Sequence, residues 1–431
     1  MVLILKPLEA IIPLKITVAK ITNRFEVDNI GFEFTETLII SFFSENKNYR
    51  AIKGVLAMRF IGLDGLRGLM CLWVVIGHSI TMAGVELDKN SFFGKILGKG
   101  LAVDVFFIIS GFVITLLLLS KDTPYGKYLK QRVLRIFPAY LFFLLLSALI
   151  LNETLFTLQN FPEDIGKTAD RLKYTTASLE DFKLHFFTHL FMLHGITPSF
   201  ILSNPTYTIM GQAWSLTLQF QFFLLAPLFI FILRKHAFFL VFIVVLILAS
   251  SRFFLDIMGH NSFFLVNSNM FFVGMFSAIL LNAKKMNKLT NKNFYFALII
   301  FLLSVSLYQW VSERFLAALP IVIWSICFFI EVSLIASPLK SLYRVVLTNR
   351  ISIFLGNISY SMYCSHMFFL YGISFVLIKY NTVSTFYTPT MLIVPFLFTI
   401  LASHFSYEYI EKYFIKLGKN SKKNNFQQRA I

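Results

Sequence analysis

Arg67 and His78 are the first residues whose types and spacing suggest chemistry. They lie in the apolar stretch Phe60 to Gly84, eleven positions apart. An α-helix turns about 100° and rises about 1.5 Å per residue, so both side chains are expected on one face, about 16 Å apart along the axis. A neutral imidazole can deprotonate a hydroxyl group or accept an acyl group itself. The alternative is a buried histidine that only satisfies a backbone carbonyl.

Arg132 and Arg135 stand three positions apart, on one face at the start of a later apolar helix. A cation opposes the helix macrodipole there, and an anionic ligand removes that conflict, because helix N-termini and arginines both bind phosphate. With Arg67 at the same membrane edge, they predict a site for a phosphorylated ligand. Anchoring to anionic lipid head groups is the simpler alternative. Glu408 and Glu411, at the inner edge of the last span, are predicted to pair with lysines or arginines.

Other polar residues inside apolar stretches are predicted to support this site. The alternative for Trp214 is an anchor at the membrane interface, and for Tyr360 and His366 it is hydrogen bonding between helices. Asp64 and Asp104 lie near membrane boundaries, and Asp104 is predicted to orient His78 or to pair with a cation. A water-facing carboxyl group is the alternative for Asp104. Gln219 is neutral, so it can hydrogen-bond a substrate but cannot act as a strong base. The remaining members of this set are Trp214, Ser215, Tyr360 and His366.

Membrane helices must position these residues, because the composition is that of a polytopic membrane protein. Of 431 residues, 57% are hydrophobic and 14% are charged, whereas soluble proteins are about 25% charged. Cationic cytoplasmic loops explain the net charge of +17 better than nucleic-acid binding does. The three cysteines have no spacing typical of a metal site or a disulfide framework, so neither a metal nor a resident cofactor is expected.

Ten apolar runs of membrane-spanning length follow residue 58. They cover about 66–84, 101–120, 133–151, 212–233, 237–255, 263–282, 294–311, 316–336, 353–377 and 390–410. Lys and Arg concentrate in alternate loops and in the tail, which predicts that both termini are cytoplasmic. The predicted fold class is therefore an all-α, polytopic transmembrane helix bundle of about ten spans.

The chain divides into three predicted parts. Residues 1–57 are predicted to be an N-terminal extension, with Met58 as the hypothetical true start, and 58–414 to be the transmembrane domain. Residues 415–431 are predicted to be a basic cytoplasmic tail. The longest outside loop, about 152–211, contains the amphipathic stretch HFFTHLFMLHGITPSF, which is predicted to dip into the membrane or to cap a cavity.

At these residues the chain resembles the acyltransferase 3 family of integral-membrane acyltransferases. The LDGLRG opening, with ten residues between Arg67 and His78, is similar to the family's Arg-x10-His motif. Arg132 and Arg135 match its Arg-x-x-Arg motif. Four further stretches resemble family blocks in the right order: VDVFFIISGFVIT, QAWSLTLQFQFF, LGNISYSMYCSH and SYEYIEK. The resemblance covers about 58–414.

The resemblance implies transfer of an acyl group, often acetyl, from cytoplasmic acyl-CoA to a hydroxyl group, usually on a saccharide. Arg67, Arg132 and Arg135 would hold the acyl-CoA, a co-substrate rather than a cofactor, and His78 would be the catalytic residue. The implied setting is the bacterial inner membrane, among lipids and without nucleic acid. The family usually has Glu where this chain has Gln219, so proton transfer at that position is in doubt.

A transporter or flippase for a glycan or a lipid-linked intermediate is the alternative function, since ten spans with a polar midplane suit it equally well. The arginines separate the two functions, because a glycan carrier has little use for a nucleotide-phosphate site. A non-catalytic partner protein is a third interpretation, which Gln219 supports.

Overall fold

The computed structural model describes residues 60–85, 94, 97, 99–120, 123–161, 168–285, 290, 293, 318–332, 338–380 and 387–420. Helices dominate these residues, and no β-strand occurs among them, which confirms the all-α prediction. The helices used below are α1 (Ile61–Met82), α2 (Lys99–Ser120), α3 (Tyr125–Leu149), α4 (Leu151–Gln159), α5 (Thr168–Glu180), α6 (Phe182–Leu190), α7 (Ala213–Lys235), α8 (Ala237–Met258), α9 (Asn269–Lys285), α10 (Leu319–Val332), α11 (Pro338–Leu347), α12 (Arg350–Lys379), α13 (Tyr387–Ser406) and α14 (Lys412–Asn420). A π-helical turn, Tyr407–Glu411, joins the last two.

Seven helices in the described part of the chain are long and apolar enough to cross a membrane. They are α1, α2, α3, α7, α8, α12 and α13, and each corresponds to one of the ten predicted spans. The shorter apolar helices α9 and α10 correspond to two more. The predicted span at 294–311 and the predicted extension at 1–57 lie outside the described residues. The protein is therefore an integral, multi-pass membrane protein.

Helices α1 and α12 pack closely because glycines lie where they cross. A Cβ atom on Gly356 would fall 2.0 Å from the backbone oxygen of Asp64, and one on Gly68 would fall 2.5 Å from the backbone nitrogen of Gly356. Small residues permit such an approach between membrane helices. The crossing holds the α1 face that carries Arg67 and His78 against α12.

A second close crossing joins α2 and α9. A Cβ atom on Gly274 would fall 1.9 Å from the backbone oxygen of Ile108, and one on Gly111 would fall 2.2 Å from that of Phe271. The Phe271 ring stacks on Phe222 of α7 with centroids 4.6 Å apart. Aromatic packing therefore ties α7, which carries several predicted site residues, to this helix pair.

Candidate active site

Arg67 is held at the start of α1, which we call the arginine end of the bundle. It forms an ion pair with Asp64 at 3.5 Å. Its Nη2 donates to the backbone oxygen of Gly356 and to Ser359 Oγ, both at 3.3 Å. Both acceptors belong to α12, nearly three hundred residues further along the chain. Arg67 is therefore held by α12 as well as by Asp64, its predicted support.

The two arginines of α3 lie beside Arg67. Arg135 interacts electrostatically with both Arg67 and Arg132. The Arg132 guanidinium carbon lies 5.8 Å from the centroid of the Tyr128 ring, and its Nε is buried with no hydrogen-bond partner among the described residues. Buried donors without partners are rare in proteins. The cluster can therefore bind a ligand that supplies a hydrogen-bond acceptor to Arg132 Nε.

Glu411 supplies a carboxylate to this cluster from the other end of the sequence. The π-helical turn places it 3% exposed, where it accepts a 2.5 Å hydrogen bond from Ser361 Oγ. It interacts electrostatically with Arg135 and Arg67, as its predicted pairing with cations requires. The arginine end thus holds three guanidinium groups and two carboxylates, those of Glu411 and Asp64, and one positive charge is in excess.

Glu408 confirms the same prediction at the surface. Its carboxylate pairs with Lys412 Nζ at 2.5 Å, one helical turn along the chain. Both side chains are more than a third exposed, so this pair contributes little to stability.

A cavity of about 370 Å³ lies near the opposite end of α1, which we call the cavity end. His78 lines this cavity, as do Trp214 and Tyr363 from α7 and α12. Helix α5 contributes Arg171 and Tyr174 to the wall. Helix α5 belongs to the long loop between α4 and α7, so this loop closes the cavity, whereas the stretch 185–200, for which a capping role was predicted, supplies none of the described lining residues.

His78 contacts a residue that the sequence did not suggest. Arg171 Nη2 lies 3.4 Å from His78 Nδ1, and Arg171 Nη1 lies 2.6 Å from Met82 Sδ. A guanidinium group only donates, so Nδ1 accepts, and the proton of the neutral ring is then on Nε2. The His366 ring of α12 lies 5.2 Å from the His78 ring, centroid to centroid. His78 and Arg67 therefore both face α12.

An apolar layer separates the arginine end from the cavity end. It consists of Cys71 and Val75 on α1 and Met362 on α12, which are at most 1% exposed. Among the described residues that line the cavity, none of the three arginines is present. Between the two ends, the contact of α1 with α12 is therefore shielded from water at these residues.

Trp214 and Ser215 begin α7 beside the cavity. Trp214 lines the cavity and packs edge-on against Phe107 of α2, with centroids 6.0 Å apart. Ser215 Oγ lies 2.7 Å from the hydroxyl group of Tyr363, a cavity residue. Ser215 thus orients the cavity wall rather than lining it.

Gln219, Tyr360 and Asp104 are absent from the described residues that line the cavity with His78. Gln219 Nε2 donates to Ser110 Oγ on α2, and the Tyr360 hydroxyl donates to a backbone oxygen of α3 at 2.7 Å. Both are hydrogen bonds between helices, the alternative role predicted for Tyr360. Within the described chain, no hydrogen bond or ion pair joins Asp104 to His78 or to a cation.

Sequence reasoning missed Arg171 and Gln212. Arg171 is the only arginine between positions 152 and 211, a signal that could have singled it out. Gln212 lines the cavity, and its Nε2 donates to the backbone oxygen of Cys364 at 2.8 Å. Its Oε1 is buried and lacks a partner among the described residues. Gln212 opens the block QAWSLTLQFQFF, but the position of its amide in the cavity wall comes only from the fold.

Three buried histidines stabilise the loop between α4 and α7. His185 Nδ1 lies 3.0 Å from Thr208 Oγ1, and the rings of His189 and His194 stack with centroids 4.0 Å apart. Burial lowers the pKa of His185 and His189 and lowers that of His194 to about 4. No group of three or more potential ligands is arranged to hold a metal in the described part of the chain.

Acidification is therefore expected to loosen this loop. Between the ordinary histidine pKa of 6.5 and about 4, the unfolded loop binds protons that the folded loop excludes. Stability is complete above pH 6.5 and falls as the pH drops toward 4, by about 3 kcal/mol for His194 alone. Hydrogen exchange of 182–212 should accelerate, after correction for intrinsic rates, between pH 7.5 and 4.5. Unchanged protection there, with α1 as the internal reference, would contradict this expectation.

The comparison with known protein families is decisive for the class of protein. A family profile described as an acyltransferase domain matches residues 60–404, most of the chain. The chain belongs to this family. As a member with spanning helices, it is an integral-membrane acyltransferase, and the resemblance to acyltransferase 3 is confirmed. The matched range includes both the arginine end and His78.

Curated relatives match shorter stretches of this acyltransferase. The chain is 38% identical over 96 residues to "Protein 2 in picA locus" of Rhizobium radiobacter, which covers 21% of the chain and 44% of the relative. It is 32% identical over 117 residues to O-acetyltransferase OatA of Staphylococcus aureus, which covers 26% of the chain and 17% of that protein. The alignments thus span less than half the length of these relatives. No solved structure gives a significant match.

Proposed function

We propose that the protein is an O-acyltransferase of a bacterial inner membrane. It transfers an acyl group, acetyl in the simplest case, from cytoplasmic acyl-CoA to a hydroxyl group of a saccharide-containing acceptor. The observation that carries the proposal is the placement of His78 on a cavity wall, on the same α12-facing side of α1 as the arginine cluster. The Staphylococcus aureus relative is named as an O-acetyltransferase, which supports the hydroxyl acceptor and the acetyl group.

The arginine end suits the phosphates of a CoA donor. The cluster has a positive charge in excess, and the buried Nε of Arg132 has no partner in the described chain. Arginine binds phosphate through charge-assisted, often bidentate hydrogen bonds. His78 lies about 16 Å along the helix axis from Arg67, so the long arm of CoA is needed to bring the thioester to the imidazole.

His78 supports two balanced routes. In direct transfer, the acceptor oxygen attacks the thioester carbonyl while the imidazole takes the hydroxyl proton, and the departing CoA sulfur takes that proton as it leaves. In the relay, an imidazole nitrogen attacks the thioester, CoA leaves as the thiol, and the acceptor hydroxyl then attacks the acyl-imidazole. Both routes produce one ester and one free CoA, and both need a neutral imidazole.

Replacing Arg132 by Gln is expected to weaken CoA binding about tenfold or more, since it removes a charge-assisted contact to phosphate. Binding to the full-length protein in nanodiscs should be compared for CoA and for pantetheine, which lacks the phosphates. Wild-type protein should prefer CoA, and Arg132→Gln should lose that preference. Lys130→Gln, an exposed change on the same helix, should retain it.

The result also separates the enzyme from a carrier. A wild-type protein that binds CoA no better than pantetheine would contradict a donor site at the arginine end. In that case, lipid anchoring would explain the cluster, and transport of a glycan would become the better proposal.

A further inference from the structure

Arg171 is a cation in the cavity wall, and no carboxylate among the described residues forms an ion pair with it. Its guanidinium contacts a thioether and an imidazole, those of Met82 and His78, and it interacts electrostatically with Tyr371. The neighbouring Asp170 also lines the cavity, yet no ion pair joins Asp170 to Arg171 within the described residues. A partly buried guanidinium without a carboxylate favours an anionic ligand.

Gln212 offers a second, independent feature in the same cavity. Its side chain is 5% exposed, and the hydrogen bond from Nε2 to the Cys364 backbone fixes which way the amide points. Oε1 is therefore the buried atom without a partner, and it can only accept. A ligand hydroxyl group would satisfy it.

We propose that Arg171 and Gln212 form the acceptor subsite, and that the acceptor carries an anionic group, a carboxylate or a phosphate, close to the hydroxyl that is acylated. Arg171 binds the anion and Gln212 Oε1 accepts a hydroxyl hydrogen bond. The inference rests on the proposed function and adds the chemical class of the acceptor to it. A cavity of about 370 Å³ lies at the lower end of the range of about 300–1,000 Å³ that small-molecule pockets occupy.

The same contact links acceptor binding to His78. While Arg171 Nη2 occupies the lone pair of His78 Nδ1, that nitrogen cannot take a proton. An anion that draws the guanidinium toward itself frees Nδ1 beside the bound hydroxyl. An acceptor without the anion leaves the imidazole engaged.

The aromatic wall does not oppose an anion. Tyr174 and Tyr207 line the cavity and stack with centroids 5.2 Å apart. Burial raises the pKa of Tyr174, with a further contribution from Asp170, and raises that of Tyr207 to about 12. Both phenols are therefore uncharged at neutral pH, and Arg171 is the cation that an acceptor meets beside them.

The test uses the full-length protein in vesicles, radiolabelled acetyl-CoA, and the envelope saccharide fraction of source cells that lack the gene. One portion of the fraction is untreated, one has its carboxylates converted to neutral amides, and one has its phosphates removed with hydrofluoric acid. Wild-type protein should label the untreated fraction and lose about tenfold or more of that labelling after one of the two treatments. The treatment that matters identifies the anion.

Matched variants assign the effect to the subsite. Arg171→Gln should raise KM for the untreated fraction about tenfold or more and label treated and untreated fractions alike, whereas Arg171→Lys should recover part of the preference. Lys173→Gln removes the same charge from an exposed position of α5 and should behave as wild type. Gln212→Leu should raise KM while keeping the preference for the anion.

The pattern of labelling distinguishes failure of the inference from failure of the proposed function. No labelling of any fraction by the wild-type protein would overturn the proposed function. Equal labelling of all three fractions would leave the acyltransferase intact and overturn the anionic acceptor. Labelling that depends only on adding phosphatidylglycerol to phosphatidylcholine vesicles would assign the anion at Arg171 to a lipid head group and would also overturn the inference.

Discussion

His78→Ala is expected to abolish acyl transfer to the acceptor, with a loss of at least about a thousandfold in kcat. The imidazole is the group of α1 that lines the cavity and can take a proton or an acyl group. No other described histidine lines that cavity, so the neighbouring His366 ring is placed to support the imidazole rather than to replace it. Product formation from radiolabelled acetyl-CoA in vesicles measures the effect.

The control for this change is His404→Ala, which removes an exposed histidine from α13 and should leave activity unchanged. Incubation with donor alone separates the two chemical routes, since only the relay leaves an acyl group on the wild-type protein. That label should be absent from His78→Ala. Undiminished product in a correctly inserted His78→Ala protein would remove His78 from the reaction altogether.

Gly356→Ala is expected to have the second largest effect, because it separates α1 from α12. The added methyl group would fall 2.0 Å from the backbone oxygen of Asp64, where no flexible side chain can move aside. Overpacking of this kind costs about 1–3 kcal/mol, and here the hydrogen bond from Arg67 to the Gly356 oxygen would be disturbed as well. A lower thermal midpoint and weaker acyl transfer should appear together.

Gly372→Ala is the matched control on the same helix. A Cβ atom there meets nothing within 4 Å. Since alanine favours the helix over glycine by up to about 1 kcal/mol, this variant should be as stable as wild type or slightly more stable. Equal thermal midpoints for the two alanine variants would show that the close crossing does not limit stability.

The helical periodicity of the sequence was enough to predict how α1 presents its polar residues. Arg67 and His78 lie on one face because eleven residues make just over three full turns, and the helix is regular over that length. The structure adds the identity of the helix that they face, which is α12. Glycines in α12 make close contact possible, but a glycine in a sequence does not reveal its partner helix, so α12 could not be predicted as the shared support.

The contacts that complete the cavity were beyond prediction for a related reason. Arg171 reaches His78 across 93 positions of chain, from a loop whose composition indicated only that it lay outside the membrane. The unsatisfied oxygen of Gln212 depends on which backbone carbonyl its amide nitrogen finds. Long-range contacts of this kind are fixed by packing, which local sequence patterns do not encode.

The apolar layer between the arginine cluster and the cavity has a consequence for the membrane potential. Moving one elementary charge across a membrane releases or consumes about 2.3 kcal/mol per 100 mV, so a standing column of water through the bundle would dissipate that potential. Cys71, Val75 and Met362 are at most 1% exposed, so no water runs past these side chains where α1 meets α12. The close contact of the two helices therefore helps the membrane to hold its voltage.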